Sequence, residues 1–115
     1  MLVREIYRIT AESPFDRDYP LRDQIRKAAI SVVSNIAEGF ERRRPREFIH
    51  FLRIARGSTA EIKAQLYVAL DVGFVANDDF DMIFRQADRT SRMIHGLITY
   101  LTNSRHTGRP NADGS

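Results

Sequence analysis

Pro20-Leu-Arg-Asp-Gln-Ile-Arg-Lys-Ala-Ala-Ile-Ser-Val-Val-Ser-Asn-Ile-Ala-Glu-Gly-Phe-Glu-Arg-Arg-Arg-Pro45 sets the architecture of this 115-residue chain. Within it apolar residues recur at Leu21, Ile25, Ala28, Val32 and Ile36, the three-and-four spacing of one helix face. Pro20 suits a first helical turn, where its missing N–H has no partner to lose. Gly39 predicts the end of that helix, because the residue just past a helix C-terminus commonly takes the left-handed conformation glycine adopts without strain. Arg42 to Arg44 form a turn, and Pro45 opens the next helix.

The helix from Pro45 keeps Phe48, Leu52, Ala55, Thr59, Ile62, Leu66 and Ala69 on one face until Gly73, with Glu47 in its first turn to complement the dipole. Asn77 reads as the N-cap of a last helix, Asp78, Asp79 and Asp81 lie at its positive end, and Phe80, Phe84, Ala87, Ser91, Ile94, Ile98 and Leu101 form its stripe. Toward the N-terminus, Pro14 and Asp16-Arg17-Asp18 set apart a short helix of about Leu2 to Ala11. The expectation is an all-α, up-down-up-down antiparallel four-helix bundle with a shortened first helix, over residues 1–103. A disordered tail, 104–115, is expected beyond it, polar and carrying Gly108, Pro110 and Gly114. Antiparallel packing gathers Asp16, Asp18, Asp78, Asp79 and Asp81 at one end, and Arg42, Arg43, Arg44, Arg46, Arg105 and Arg109 at the other.

A hydrophobic fraction of 43% with 29% charged residues fits an ordinary folded domain and excludes composition-driven disorder. No window approaches the roughly 20 apolar residues of a membrane span. Arg4, Glu5 and Arg8 interrupt what a secretory signal would keep apolar, and there is no cysteine for disulfides or thiolate ligands, so a cytoplasmic protein is expected. The net charge is +3, and Lys27 and Lys63 are the only lysines. An arginine bias suits phosphate and carboxylate partners, because the guanidinium is a planar fork of donors; a coding bias toward arginine explains it equally well.

The third helix carries a second, weakly apolar stripe at Ile54, Gly57, Glu61, Ala64 and Val68, and the second helix a flank at Ile30, Val33, Ala37 and Phe40. A bundle helix needs one apolar stripe, so a second predicts contact with another copy, Gly57 and Ala64 allowing close backbone approach. The alternative is a third helix so central that it touches all three neighbours. Asn35 lies at the edge of an apolar face and reads as a register-fixing amide, with Ser58 or Gln65 as expected partners. Arg26 and Glu61 are expected to pair, either between helices two and three or across a subunit boundary. Glu47-Phe-Ile-His50 matches one Glu-x-x-His unit of a di-iron bundle, which needs two such units plus two more carboxylates; neither metal nor other cofactor is expected.

The third helix places Arg46, Arg53, Arg56 and Lys63 on one side with Ile49, Ala60 and Tyr67 between them, and the fourth carries Arg85, Arg89 and Arg92. Residues 42–63 hold seven basic side chains against Glu47 and Glu61, a net +5 able to follow a phosphate backbone without reading sequence. The ordinary alternative is a solvated face with intrahelical pairs, or contacts to acidic residues of a neighbouring subunit.

The segment Asp23 to Phe40 followed by Arg46-Glu-Phe-Ile-His-Phe-Leu-Arg-Ile-Ala-Arg-Gly-Ser-Thr-Ala-Glu61 strongly resembles the four-helix-bundle proteins encoded in intervening sequences of bacterial ribosomal-RNA genes. The likeness extends loosely from Ile6 to Leu101, through the Gly73-Phe74 turn. It implies a ring-shaped homopentamer. It also brings in a related branch, the accessory proteins of diversity-generating retroelements, which bind nucleic acid and a reverse transcriptase. Lys27 departs from the arginine usual there, and the first helix lacks its customary first half. The resulting expectation is a non-enzymatic, self-associating protein that binds RNA or DNA or a nucleoprotein through Arg42, Arg43, Arg44, Arg46, Arg53, Arg56, Lys63, Arg85, Arg89 and Arg92. Arg26, Asn35, Gly39, Ile54, Gly57, Ser58, Glu61, Ala64 and Val68 serve structure or assembly. A purely structural assembly protein is the alternative.

Overall fold

The computed structural model describes residues 1–107, and four α-helices account for most of them: α1 Leu2–Thr10, α2 Tyr19–Glu41, α3 Pro45–Asp71 and α4 Asn77–Thr107. In α1, Leu2, Ile6 and Ile9 bury one face, and the Thr10 hydroxyl donates to the Ile6 carbonyl at 2.7 Å. A 3-10 turn, Phe15–Arg17, follows and drives Phe15 fully into the core, where its ring meets Phe74 at 5.2 Å. Asp18 caps α2 by accepting from the Leu21 N–H at 3.1 Å, with Pro20 in the first turn.

Gly39 does not stop α2. The helix continues to Glu41, and Gly39 is buried within it because α3 passes close by: a Cβ there would stand 2.7 Å from Phe48 Cδ1. The chain leaves the helix at Arg42, and Pro45 keeps it from re-entering before α3. Its ring disfavours helical backbone in the residue before it, and Arg44 is extended at φ −91°, ψ 130°, as is Arg42. At the far end of α3, where the apolar stripe is expected to stop, Gly73 takes φ +81°. The Phe74 N–H bonds the Ala69 carbonyl at 2.8 Å and the Gly73 N–H the Leu70 carbonyl at 3.1 Å, a complete Schellman closure.

Asn77 is the first helical residue of α4, so the cap position expected for it falls one earlier, on Ala76, whose carbonyl accepts from the Phe80 N–H at 2.9 Å. The helix runs to Thr107, four residues past the boundary expected at Asn103, and the rest of the expected tail, 108–115, lies outside the described residues.

The helices pack as a ring of four. α1 lies on α2 and α4, and α3 packs on the same two helices from the other side of the core. Arg8 joins α1 to the start of α4 through Asp79 at 2.7 Å, which with the Phe15–Phe74 contact brings the first and third connections to one end. The core contains most of the expected stripe residues and also Ala29, Phe15, Val75 and Ile83. Ile49, expected among the basic residues of α3, is buried in that core, while Phe48, Phe84, Leu21, Ile36 and Leu101 are half-buried at its rim. Because α1 spans so little of α2 and α4, an apolar cleft of about 190 Å³ opens beside Met1, lined by Val33, Ile36 and Met93 among others.

Candidate functional site

The α2–α3 turn concentrates charge and aromatic rings. The close approach at Gly39 lets Phe48 and the Phe51 backbone end sit against α2, where a Cβ on residue 39 would also meet Phe51 Cβ at 3.4 Å. Phe40, the next residue, is 66% exposed, with its ring centroid 4.9 Å from Phe48. On α3 the half-buried Phe51 has His50 edge-on at 5.2 Å and the Arg42 guanidinium over its ring at 5.3 Å. Arg42 is committed to Glu38 at 2.7 Å and reaches Glu47 at 4.0 Å. Arg43, Arg44 and Arg46 are exposed and form no ion pair among the described residues. Arg42, Arg46, Glu47, His50 and Phe51 border an open cleft of about 470 Å³.

The remaining expected basic residues divide. Arg53 is exposed and unpaired among the described residues, whereas Arg56 faces α4, its Nη1 3.1 Å from His95 Nδ1. Lys63 donates to Asp88 at 2.7 Å and lies 5.5 Å from the Phe84 ring, and Arg92 pairs with the other oxygen of the same carboxylate. The Lys63 hydrogen bond is the main reason that the Asp88 carboxyl sits below the usual range, with the charges of Arg92 and Lys63 adding to it. Arg85 and Arg89 are exposed and share an open cleft with Asp78 and Asp81, so that part of α4 is mixed in sign. Arg109 lies outside the described residues.

The second stripe of α3 is left uncovered by its own bundle. Ile54 is 40% and Val68 50% exposed, Gly57, Glu61 and Ala64 are exposed between them, and a Cβ on Gly57 would meet nothing within 4 Å. On α2, Ile30, Val33, Ala37 and Phe40 are likewise exposed. α3 packs on α2 and α4 and is not covered all round by its own bundle: most of this stripe is exposed, with Glu61 at its α2 edge.

Two expected pairings are corrected. Asn35 donates to the Ser31 carbonyl at 2.8 Å and Ser31 Oγ at 3.0 Å; Ser58 reaches it only through Ser31, at 2.9 Å, while Gln65 bonds Gln24 at 3.3 Å. The bond that crosses from α3 to α2 is Ser58–Ser31, and Asn35 reaches it only from within α2. Within the chain Arg26 does not pair with Glu61. Its Nε donates to Thr10 Oγ1 at 2.7 Å and its guanidinium covers the Tyr7 ring at 4.5 Å, so it fastens α1 to α2. Glu61 makes no ion pair among the described residues and borders a cleft with Gln24, Lys27, Ala28 and Ser31. Glu47 and His50 belong to the turn cluster, and no group of three or more His, Asp or Glu among the described residues could hold a metal ion.

Sequence reasoning missed the aromatic cluster, although its signal stands in Gly39-Phe-Glu-Arg-Arg-Arg-Pro-Arg-Glu-Phe-Ile-His-Phe51: three phenylalanines bracket four arginines. Reading Gly39 as a stop placed Phe40 in a terminal turn instead of opposite Phe48.

Comparison with known proteins gives two findings. The family model described as 23S rRNA-intervening sequence protein matches residues 1–96. Among solved structures, the chain is similar to a protein of unknown function from the S23 ribosomal protein family of Bacteroides thetaiotaomicron VPI-5482. The TM-score is 0.76 at 17% identity, over 84% of this chain and 87% of that one, a likeness of fold. A search of curated proteins finds no match.

Proposed function

The chain belongs to the 23S rRNA-intervening sequence protein family, and from that membership and the surfaces above we propose that it is a non-enzymatic, homo-oligomeric helical bundle that binds nucleic acid, or a nucleoprotein, through exposed arginines. One observation carries the reading. The cations facing a helix neighbour are satisfied within the chain, Lys63 and Arg92 on Asp88 and Arg56 on His95, whereas Arg43, Arg44, Arg46 and Arg53 are exposed without a carboxylate among the described residues. A guanidinium that keeps its charge and lacks an acid partner is free to take phosphate. Arg85 and Arg89, beside Asp78 and Asp81, contribute less, so the site centres on the α2–α3 turn.

Self-association follows from the uncovered stripe of α3. Gly57 and Ala64 present little side chain, which permits the close helix approach that a flat, half-polar seam needs. A ring of five copies, the state implied by the resemblance, would repeat the arginine turn around the assembly and raise its avidity for a long polyanion.

The test is binding of labelled RNA and DNA as a function of salt. Four phosphate contacts give a log–log slope of about −3 on single strands to −4 on duplex, a loss of roughly 50- to 150-fold between about 50 and 200 mM. Absence of binding at the lower salt defeats the proposal. A second reading, assembly without nucleic acid, is favoured by Glu61, a carboxylate exposed beside the seam with no ion pair among the described residues and so able to take an arginine of another copy. It predicts intact assemblies that ignore nucleic acid at every salt.

A further inference from the structure

We propose that the α2–α3 turn is a platform for single-stranded nucleic acid, on which the exposed rings of Phe40 and His50 stack unpaired bases while Arg43, Arg44 and Arg46 hold the phosphates. The inference rests on the nucleic-acid reading above and adds to it the form of the ligand.

Charge alone draws any polyanion; the rings discriminate. Scattered exposed apolar residues need no explanation. Phe40 is not scattered: it is two-thirds exposed, braced from one side by Phe48 at 4.9 Å, and followed within the same turn by three arginines. Phe51 is half-buried at the edge of the 470 Å³ cleft, with His50 edge-on and Arg42 already lying over its ring. Arg42 is anchored by Glu38 and Glu47, which leaves it a fixed planar cation beside the ring, while Arg43, Arg44 and Arg46 keep free guanidinium forks.

Aromatic faces in a positively charged groove are the recurring means of holding single strands, because every unpaired base offers a π-face. A duplex keeps those faces stacked on one another, so it could use the arginines and not the rings. The cluster is also held rigidly. Gly39 brings α2 and α3 together and Pro45 fixes the turn, so the rings lose little freedom when a base arrives.

The experiment uses the full chain with three labelled probes carrying equal numbers of phosphates: a deoxythymidine homopolymer strand, the same strand made abasic, and a duplex. The homopolymer should bind most tightly. Phe40→Ala should weaken it by roughly five- to hundredfold, the range of one lost base–ring stack, and leave the abasic strand unchanged. Phe40→Trp should restore binding, and the triple change of Arg43, Arg44 and Arg46 to alanine should weaken all three probes.

Equal affinity for homopolymer, abasic strand and duplex overturns the platform and leaves the electrostatic reading standing. Silence of every probe at low salt overturns both. If Phe40→Ala instead lowers the mass of the assembly with homopolymer affinity per subunit unchanged, the ring is a contact between copies and the platform is likewise overturned. Phe40 is two-thirds exposed, so the variant loses only its contact with Phe48 and should melt within roughly 6 °C of the parent chain, folded at the temperature of the binding assay.

Discussion

Replacing Gly39 with alanine sets two effects of known sign against each other. Within a helix, alanine is favoured over glycine by about 1 kcal/mol. At residue 39, however, the added Cβ would lie 2.7 Å from Phe48 Cδ1 and 3.0 Å from Cε1, well inside contact distance, and 3.4 Å from Phe51 Cβ. Relief requires the Phe48 ring to swing off Gly39, which gives up its contact with Phe40 at the rim of the core. Overpacking of this kind costs about 1–3 kcal/mol. The net is a destabilisation of about 0–2 kcal/mol.

Gly57→Ala is the matched control. It makes the same exchange in a helix interior where the Cβ meets nothing within 4 Å, so the lone subunit should gain about 1 kcal/mol. The two variants should then differ by the clash alone, about 1–3 kcal/mol, or roughly 4–12 °C in melting temperature at about 4 °C per kcal/mol for a domain near this size. Circular-dichroism melts should be run at a concentration below that of assembly. A Gly39→Ala protein that gains as much stability as Gly57→Ala would refute the close approach of α2 and α3 at the turn.

Phe15→Ala should be the most damaging change in the first connection, costing about 3–5 kcal/mol by urea unfolding, since the ring is fully buried against Phe74; a loss under 1 kcal/mol would mean that this connection does not pack as described. Asp88 is lowered in the folded chain, so its contribution is fully present above the unfolded carboxylate value of about 3.9 and disappears as pH falls through the lower folded one. The stability gap between the parent and Asp88→Asn should therefore be constant near neutral pH and close only below about pH 4; closure near pH 6 would contradict the Lys63 and Arg92 pairing. Glu61→Ala should leave the monomer's melt unchanged and weaken assembly, and an unaltered sedimentation profile on dilution would remove Glu61 from the seam.

The helices were legible because their apolar periods are long and their punctuation is chemical. Pro20, Pro45 and Gly73 act where and as their backbone limits require. Gly39 was misread because the same residue type serves two purposes, the left-handed cap and the close helix approach, and only the neighbour across the gap distinguishes them. Phe15 could not be found by periodicity, since a single ring in a three-residue turn has no period.

Side-chain partners were the least legible. Asn35 turned to Ser31 one turn back in place of crossing to Gln65, and Arg26 turned to Thr10 and Tyr7, partners that a short, easily discounted helix supplies. The exposed face of α3 was readable in outline, because a second stripe opposite the first follows from the sequence and the packing of α3 on α2 and α4 leaves it uncovered.

The mass of the protein in solution at micromolar concentration is the decisive quantity. Sedimentation velocity should give a multiple of the 13.3 kDa subunit, falling toward one subunit when Ala64→Glu places a charge in the α3 seam. A parent chain that sediments as a single 13.3 kDa particle, with Ile54 and Val68 left in water, would contradict the account.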